Sequence, residues 1–512
     1  MFEAVRAAFA GTASREDRIA LVEAALRMAG PAGREEIGRW VTTIVPAEVL
    51  VPETARRWRP LVHDAMQFVV CHICDRRLAA RIVEQMELAP DTPPEIRLLR
   101  LISKTPGLQK IGQVLARNRR LAPPLRKALI ELENGMSDVT PQEIRGVLTG
   151  RLPEQLDRYA VKIDSPIFSE ASVSAVVRFT WQNPGRERER GVFKVLKPYV
   201  PACFTEDIAI LQQLGEYLAA QDRGYAFALR DIKDMFAEVR VLLEHELDFA
   251  REQMMLGEAR RIYRSSFGIR VPRLIRPLCA AGITAMSEEA GIKVTDAFPR
   301  SPIRRIRAGE QLVEALVAVP LFTREENAIF HGDPHAGNLL YDEPNRELVV
   351  LDWALAERMT LTLRRQLVLL ALMMMLRNPD GVTRAIVALS RPRGERQERR
   401  ILRRVADFFG QLPRGASPST LDAMILLDDL AIEGIRFPAP LFLFRKMLFT
   451  LDGVLEDIAG PDLRMDQIIA RDFLTRWLSS FGLFYSPLTL ADFAAIEWQA
   501  LLYPLRAYQR CC

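Results

Sequence analysis

The feature that most constrains the fold of this chain is a polar segment followed by two short apolar runs. Residues 331–338 read HGDPHAGN, and the runs LLY and ELVVL occupy 339–341 and 347–351. The turn-forming residues between the runs predict an antiparallel hairpin. Because a hairpin returns the chain to its starting end, we expect Asn338 and Asp352 to lie side by side.

The residues at this end of the hairpin suit phosphate chemistry. Paired oxygen ligands favour Mg²⁺, a hard cation that takes few protein ligands and shares its other positions with phosphates. Asp333 and Asn338 also have the D-x-x-x-x-N spacing of a kinase catalytic loop. We therefore predict Asp333 as the loop carboxylate and Asn338 and Asp352 as metal ligands. The alternative is an accidental polar turn.

Phosphoryl transfer also requires a cation on the phosphates. The runs 171–180 and 191–197, joined by a polar stretch that contains Pro184 and Gly185, predict a second hairpin. Lys194 projects from its second strand among apolar neighbours. It is therefore either an edge residue or a charge aimed at an anion.

An acidic segment supplies a partner for this lysine. Apolar residues at helical spacing predict one long helix over residues 228–263. Asp248 and Glu252 are four residues apart and are expected on one face of it. Glu252 or Glu246 is the predicted partner of Lys194, and the alternative is a solvated acidic face.

Composition indicates a globular protein of several domains. Hydrophobic residues make up 49% and charged residues 26% of the 512, which excludes a disordered chain. The net charge of +5 argues against a nucleic-acid partner. The longest apolar run, residues 367–376, is half of the roughly 20 residues that cross a bilayer. Residues 1–14 lack a secretory signal, so we expect a cytoplasmic protein without a transmembrane segment.

The first 95 residues are expected to be helical and carry no recognisable chemistry. Ser14 and Asp17 resemble a capping box, Gly30 with Pro31 is expected to end the first helix, and prolines at 90–94 predict a linker.

The cysteines are few and dispersed, as in a reducing compartment. Cys71 and Cys74 lie near His63 and His72, but no second pair follows at zinc-ribbon spacing. They are predicted to be buried helix thiols, with a metal site as the alternative.

Seven motifs together resemble those of the UbiB or AarF-domain family of atypical, protein-kinase-like ATPases, over about residues 100–460. HGD…N alone would fit aminoglycoside phosphotransferases and choline kinases equally well. The KxGQ motif together with an ExD motif, here Glu246 and Asp248, separates this family from them. The motifs are KIGQ (110–113), ASVSAV (171–176), VFKV (192–195), EHELDFAREQ (244–253), MSEEAG (286–291), HGDPHAGN (331–338) and LDWA (351–354).

The resemblance implies an α+β, bilobal protein-kinase-like fold with a helical N-terminal region and a KxGQ extension. The expected divisions are a helical N-terminal region at 1–95, the KxGQ helical extension at 96–160, a kinase-like N-lobe at 161–292 and a mostly helical C-lobe with C-terminal helices at 293–512.

The resemblance also implies ATP and Mg²⁺ as cofactors and a division of roles in the site. Asp333, Lys194 and Glu252 are the expected catalytic residues, with Lys194 paired to Glu252. The KxGQ helix is expected to lie across the nucleotide site and to restrain protein phosphorylation, leaving a slow, lipid-stimulated ATPase that supports ubiquinone or other isoprenoid-lipid pathways. The implied nucleotide-binding residues are Ala171, Ser172, Lys194, Met286, Ser287 and Glu288, and the implied regulatory residues are Lys110, Gln113, Glu246 and Asp248.

The sequence departs from the family pattern at several positions. Trp353 and Ala354 replace the Phe and Gly of DFG, and Ala lacks the φ freedom of Gly. Glu170 would place negative charge near the phosphates, Ser287 replaces a hinge glutamate, and Ala336 replaces a proline. Retained nucleotide binding is favoured. The alternatives are a nucleotide-regulated pseudokinase scaffold that binds a lipid or a partner protein, and a small-molecule kinase.

Many relatives carry C-terminal membrane spans, and none is expected here, so any membrane contact would be peripheral, at the inner face of the membrane. Residues 391–404 contain seven arginines and two glutamates, enough to attract an anionic lipid surface. The alternative is a solvated surface helix. The expected partners are a nucleotide and, with it, an isoprenoid lipid, an anionic membrane surface or a protein.

Overall fold

The computed structural model divides the chain into two compact units. The first comprises Met1–Phe249 and Ile275–Met286, and the second comprises Ala250–Leu274 and Ser287–Cys512. The structure describes residues 14–479, apart from 52, 54, 55, 57, 58, 103, 106, 108–138, 221–239, 241–243, 265, 267, 299, 300, 392, 393, 414–417, 461 and 462, and also describes 487–494 and 496. Lys110 and Gln113 lie outside the described residues.

Helices dominate the first unit. Ser14 and Asp17 form the predicted capping box at the start of α1. Gly30, with φ of +59°, interrupts α1 as predicted, and a second helical segment follows directly. Arg97 holds the predicted linker as a compact turn, since its guanidinium donates to the carbonyls of Ala89 and Thr92. The helices are α1 (Arg15–Ile44), α2 (Ala47–Leu50), α3 (Arg59–His72), α4 (Asp75–Glu87), α5 (Pro94–Ile102), α6 (Pro141–Arg151), α7 (Pro153–Arg158) and α8 (Val200–Ala220).

The cysteine prediction is half right. Cys71 lies half-buried on α3, whereas Cys74 is exposed and precedes α4 as its N-cap. Both thiols are free, and burial raises the pKa of each. Within the described ranges, no group of three or more His, Cys, Asp or Glu side chains could hold a metal ion.

A five-stranded antiparallel sheet forms the rest of the first unit. The predicted hairpin is present as β3 and β4, joined by a turn in which the Arg186 N–H donates to the Asn183 carbonyl. Gly185 has φ of +79°, as position three of a type II turn requires. Phe179 and Phe193 stack in the core, with ring centroids 4.0 Å apart. The strands are β1 (Lys162–Ile163), β2 (Ser169–Glu170), β3 (Ser174–Gln182), β4 (Arg188–Leu196) and β6 (Ile283–Ser287), in the order β1-β3-β4-β6 with β2 on β3.

The prediction of one helix over 228–263 is wrong at Asp248. Residues 244–247 are helical, Asp248 is not, and α9 then spans Phe249–Tyr263. Asp is unfavourable in helix interiors, because its short polar side chain forms hydrogen bonds with nearby backbone groups. The spacing of apolar residues does not report this effect, so it does not detect the break. Asp248 and Glu252 therefore do not share one helix.

The second unit contains a small sheet, a two-stranded ribbon and a set of helices. The sheet order is β5-β10-β9-β7, and β8 pairs with β11. The elements are β5 (Ile269–Arg270), β7 (Ile292–Lys293), α10 (Pro302–Val313), a π turn (Glu314–Ala318), α11 (Val319–Phe322), β8 (Asn327–Phe330), β9 (Leu339–Asp342), β10 (Glu347–Val350), β11 (Glu357–Thr360), α12 (Leu361–Met375), α13 (Pro379–Leu389), α14 (Glu395–Gln411), α15 (Thr420–Ile432), α16 (Ala439–Ala459) and α17 (Met465–Ser479).

The apolar run at 367–376 lies mostly in α12, where Val368, Leu370 and Met374 are buried. The run therefore serves the core of this unit. Among the helices that the structure describes, none combines the length and the hydropathy that a bilayer crossing requires.

The arginine-rich segment at 391–404 belongs partly to α14. Ile401, Val405 and Phe409 form the buried face of this helix. Arg404 forms an ion pair of 2.5 Å with Asp429 of α15, so part of the positive charge is neutralised within the protein. Arg396, Arg399 and Arg403 remain on the exposed face.

A buried tyrosine supports the π turn. In a π turn, the carbonyl of Ala315 would accept the N–H of the residue five positions later. That residue is Pro320, which has no N–H, so the Ala315 carbonyl needs another donor. The hydroxyl of Tyr263 on α9 donates to the Ala315 carbonyl at 2.7 Å. Burial raises the pKa of Tyr263, which keeps the phenol protonated and able to donate.

We expect Tyr263→Phe to lower the free energy of unfolding by about 1–3 kcal/mol, because it leaves a buried carbonyl without its donor. Urea denaturation measures the change. Tyr341→Phe is the control, since Tyr341 is partly buried and its hydroxyl makes no hydrogen bond to another of the described residues. Equal stability of the two variants would contradict this account of the π turn.

Candidate active site

The segment between β8 and β9 is held by a buried histidine. His331 Nε2 donates to the Leu351 carbonyl at 2.8 Å, and its Nδ1 accepts the Asp333 N–H at 3.2 Å. Burial lowers the pKa of His331, so the imidazole is neutral and can act as donor and acceptor at once. Sequence reasoning assigned no role to His331, although it belongs to the HGD motif.

Gly332 permits a close approach in this segment. A Cβ at Gly332 would lie 2.0 Å from the Leu355 carbonyl oxygen, so no other residue fits without a backbone shift. Glycine therefore lets this segment pack against the chain that follows β10.

The predicted hairpin that carries the candidate metal ligands is present. Val350 pairs with Leu339, and the Leu351 N–H donates to the Asn338 carbonyl at 2.9 Å. The chain therefore returns to Asn338 just before Asp352. The Asn338 side chain donates through Nδ2 to the Asp333 carbonyl at 3.1 Å, which orients its amide.

Asp352 adopts a left-handed backbone conformation, with φ of +49°. Its Oδ1 accepts the Ala354 N–H at 3.2 Å. The left-handed residue of this segment is therefore Asp352 and not Ala354, so the missing glycine puts no strain on position 354. The donor set of one amide and one carboxylate oxygen at a hairpin end fits Mg²⁺.

Trp353, which stands where DFG has Phe, fills an apolar slot. Its side chain is buried, and its ring centroid lies 5.8 Å from that of Tyr263 and 4.9 Å from that of His331. The indole Nε1 donates to the Val350 carbonyl at 3.2 Å. This packing anchors the residue that follows Asp352.

Arg251 on α9 braces the same segment and was missed by the sequence analysis. Its guanidinium donates to the carbonyls of Ala354 at 2.9 Å and Ala356 at 2.6 Å, and to Glu357 at 3.0 Å. These residues are 103 or more positions away in sequence, so no local pattern indicates the contact. The chain after Asp352 is thus held on both sides.

The Asp333 side chain is mostly buried, at 13% exposed, and carries a partner that the sequence did not indicate. Its Oδ2 lies 3.5 Å from Nζ of Lys446 on α16. No lysine or arginine occurs within residues 331–338, so this cation comes from a distant part of the sequence.

In the first unit, Lys194 lies on β4 as predicted. Its side chain is buried, and its Nζ is 5.9 Å from the centroid of the Phe249 ring. Glu252, on α9 in the second unit, is also buried, with 2% of its surface exposed. Their pairing stays a prediction.

Ala171 and Ser172 lie in the loop between β2 and β3. The Ala171 N–H donates to the Ser174 carbonyl at 2.8 Å and closes this loop. Glu170 does not present a bare charge there, because its Oε2 lies 3.1 Å from Nζ of Lys197. The expected repulsion of phosphates is therefore reduced by an ion pair within the protein.

The remaining predicted residues lie at the end of β6, directly after it, or shortly before α9. Met286 and Ser287 end β6. Ser287 Oγ accepts the Arg273 N–H at 2.8 Å and donates to Glu289 at 2.5 Å. Glu288 and Glu246 are half-buried, and Asp248 is exposed. The regulatory roles of Glu246 and Asp248, and the binding roles of the other residues, stay predictions.

A model of the ABC1 atypical kinase-like domain matches residues 131–386, half of the chain. Similar curated proteins include an uncharacterized Synechocystis protein, 24% identical over 69% of this chain and 60% of its own length. Protein ACTIVITY OF BC1 COMPLEX KINASE 7, chloroplastic, of Arabidopsis thaliana is 23% identical over 68% of this chain and 50% of its own. A probable protein kinase UbiB of Xylella fastidiosa is 26% identical over 54% of this chain and 49% of its own length.

The chain spans about half to three-fifths of the length of these curated relatives. A solved Mycobacterium tuberculosis structure, Rv3197 with erythromycin, matches 69% of this chain and 87% of its own, at 18% identity and a TM-score of 0.45. The family match confirms the predicted UbiB/AarF-type resemblance and the α+β, kinase-like fold class.

Proposed function

Because the chain belongs to the ABC1 atypical kinase-like family, we propose that it binds ATP with Mg²⁺ and catalyses slow ATP hydrolysis or phosphoryl transfer. The observation that supports this best is the hairpin end that brings the chain from Asn338 back to Asp352. Asp333 lies in the same segment, and its carbonyl accepts the Asn338 amide. The three candidate groups, a carboxylate, an amide and a loop acid, thus belong to chain segments that meet at one end of this hairpin.

Each residue has a role in this proposal. Asn338 and Asp352 hold Mg²⁺, which neutralises charge on the phosphate oxygens when it is bound. Asp333 orients the attacking hydroxyl group or water. Lys194 binds the phosphates, with Glu252 as its partner. The adenine and phosphate contacts are assigned to Ala171, Ser172, Met286, Ser287 and Glu288.

We assign the KxGQ residues a regulatory role. Lys110 and Gln113, acting with Glu246 and Asp248, would restrain protein phosphorylation and leave ATP hydrolysis as the main activity. The cellular role in this proposal is support of ubiquinone or other isoprenoid-lipid metabolism. The exposed arginines of α14 would supply peripheral contact with an anionic membrane surface.

A second candidate function is a nucleotide-regulated scaffold that binds ATP without turning it over. The rigid brace of Arg251 on the segment after Asp352 favours it, because kinase metal loops often need to move. Turnover distinguishes the two functions.

The test is ATP turnover by the full chain with Mg²⁺, with EDTA, and with or without anionic phospholipid vesicles. We expect Mg²⁺-dependent turnover that EDTA removes, and a loss of more than about tenfold in Lys194→Met because a phosphate-binding cation is gone. Lys162→Met, an exposed lysine of the same sheet, is the control. Calorimetric ATP binding without turnover would favour the scaffold, and no binding would contradict both functions.

A further inference from the structure

Lys446 stands beside the candidate catalytic carboxylate although it lies far from it in sequence. Its Nζ is 3.5 Å from Asp333 Oδ2, and the Lys446 side chain is 18% exposed. Both residues belong to the second unit. The ion pair is therefore a feature within one compact body.

The backbone on both sides of this pair is fixed by packing. Phe330 immediately precedes the HGD segment, and Phe444 lies two residues before Lys446 on α16. Both rings are fully buried and meet edge to face, with centroids 5.5 Å apart. Phe444 is flanked in the core by Leu441, Met447 and Leu448 of the same helix. The proximity of Lys446 to Asp333 is thus set by the core and not by two mobile surface side chains.

The charges around Asp333 indicate a role for the contact with Lys446. The segment 331–338 contains no lysine or arginine. Asp333, Asp352 and the phosphates of a bound nucleotide would place several negative charges together, and these charges would repel an Asp333 side chain that nothing held. Lys446 supplies an attractive contact that holds this side chain in place without adding a residue to the segment.

We propose that Lys446 is a positioning residue for Asp333, which holds that carboxylate in one orientation toward the attacking oxygen. This inference rests on the proposed ATP-dependent function. Lys446 forms and breaks no bond in the reaction. A positioning role suits this reaction, because phosphoryl transfer depends mainly on positioning and charge stabilisation.

The alternative is a purely structural role, in which Lys446 only stabilises the packing of α16 against the segment 331–338. Lys446→Met keeps most of the apolar stem and removes the charge, whereas Lys446→Arg keeps the charge. The matched control is Arg445→Met, because Arg445 is the preceding residue of α16 and pairs with Asp428 of α15. A purely structural role predicts that both Met variants behave alike.

The experiment measures kcat, the KM for ATP and the thermal midpoint of the wild type and the three variants. We expect Lys446→Met to lower kcat about 10- to 100-fold with little change in KM, since a misplaced reacting group costs rate more than binding. Lys446→Arg should recover most of the loss, and Arg445→Met should keep the wild-type kcat.

The outcomes separate this inference from the proposed function. Wild-type turnover with an unchanged kcat in Lys446→Met would overturn the role of Lys446 and leave the proposed function standing. A kcat loss that Arg445→Met shares equally would overturn it as well, in favour of a purely structural role. A wild type that shows no Mg²⁺-dependent turnover would refute the proposed function and this inference with it.

Discussion

Asp352→Asn is expected to remove Mg²⁺-dependent ATP turnover, with a loss of about 1000-fold or more, while the protein stays folded. The carboxylate is the only full negative charge among the two proposed Mg²⁺ ligands, so its amide analogue should bind the ion far more weakly. A barrier increase of about 4 kcal/mol corresponds to this loss.

The substitution is well matched to the backbone at this position. Asp352 has φ of +49°, and Asn is among the few residues that tolerate this conformation. The Asn side-chain oxygen can also accept the Ala354 N–H that Asp352 Oδ1 accepts at 3.2 Å. Loss of turnover with an unchanged thermal midpoint would therefore report the lost charge and not a misfolded loop.

Asp342→Asn is the control for this experiment. Asp342 ends β9 at the other end of the same hairpin and pairs with Arg270. Its substitution should cost stability but leave the Mg²⁺ dependence of turnover unchanged. If Asp352→Asn retained normal turnover across a Mg²⁺ titration, the assignment of this hairpin end as the metal site would be wrong.

The two hairpins could be predicted because their information is local. In each, alternating or apolar runs are separated by turn-forming residues, and register follows from the turn. The register from Val350 to Leu339 brings the chain to Asn338 and Asp352 without any long-range assumption. The family motifs then placed the chain in a kinase-like family that the domain match confirms.

The contacts that support the candidate site could not be predicted in the same way. Arg251 reaches carbonyl groups after Asp352, and Lys446 reaches Asp333, through packing between elements that are distant in sequence. The spacing of apolar residues likewise predicted a continuous helix across Asp248, because a single polar residue that ends a helix barely alters the apolar pattern. Local patterns therefore predict the candidate reacting residues better than they predict the residues that hold those side chains in place.

The ion pair between Glu170 and Lys197 is a second case in which a distant partner changes an interpretation. From the sequence alone, Glu170 is expected to repel phosphates. In the structure its side chain is 7% exposed, Lys197 is 1% exposed, and the Nζ–Oε2 distance is 3.1 Å. The pair joins the end of β2 to the residue that follows β4, and the Lys197 N–H also donates to the Val173 carbonyl.

We expect Glu170→Gln to lower the free energy of unfolding by about 3 kcal/mol, because it removes one charge of a buried pair and leaves the other. Lys197→Met should cost a similar amount. The double variant Glu170→Leu/Lys197→Met should recover most of the loss, since replacing both partners by apolar groups removes the charges together. Urea denaturation measures these differences, and the further single variant Glu170→Leu, together with Lys197→Met and the double variant, completes a double-mutant cycle.

The same variants test whether Glu170 opposes nucleotide binding. Because Lys197 balances its charge, Glu170→Gln should change the dissociation constant for ATP by less than about twofold, as expected for a compensated charge. The measurement is calorimetric titration below the unfolding transition of the variant. A tenfold gain in ATP affinity would mean that Glu170 repels phosphates despite its partner. Additive losses across the mutant cycle would show instead that the two side chains contribute to stability independently, because coupled residues deviate from additivity.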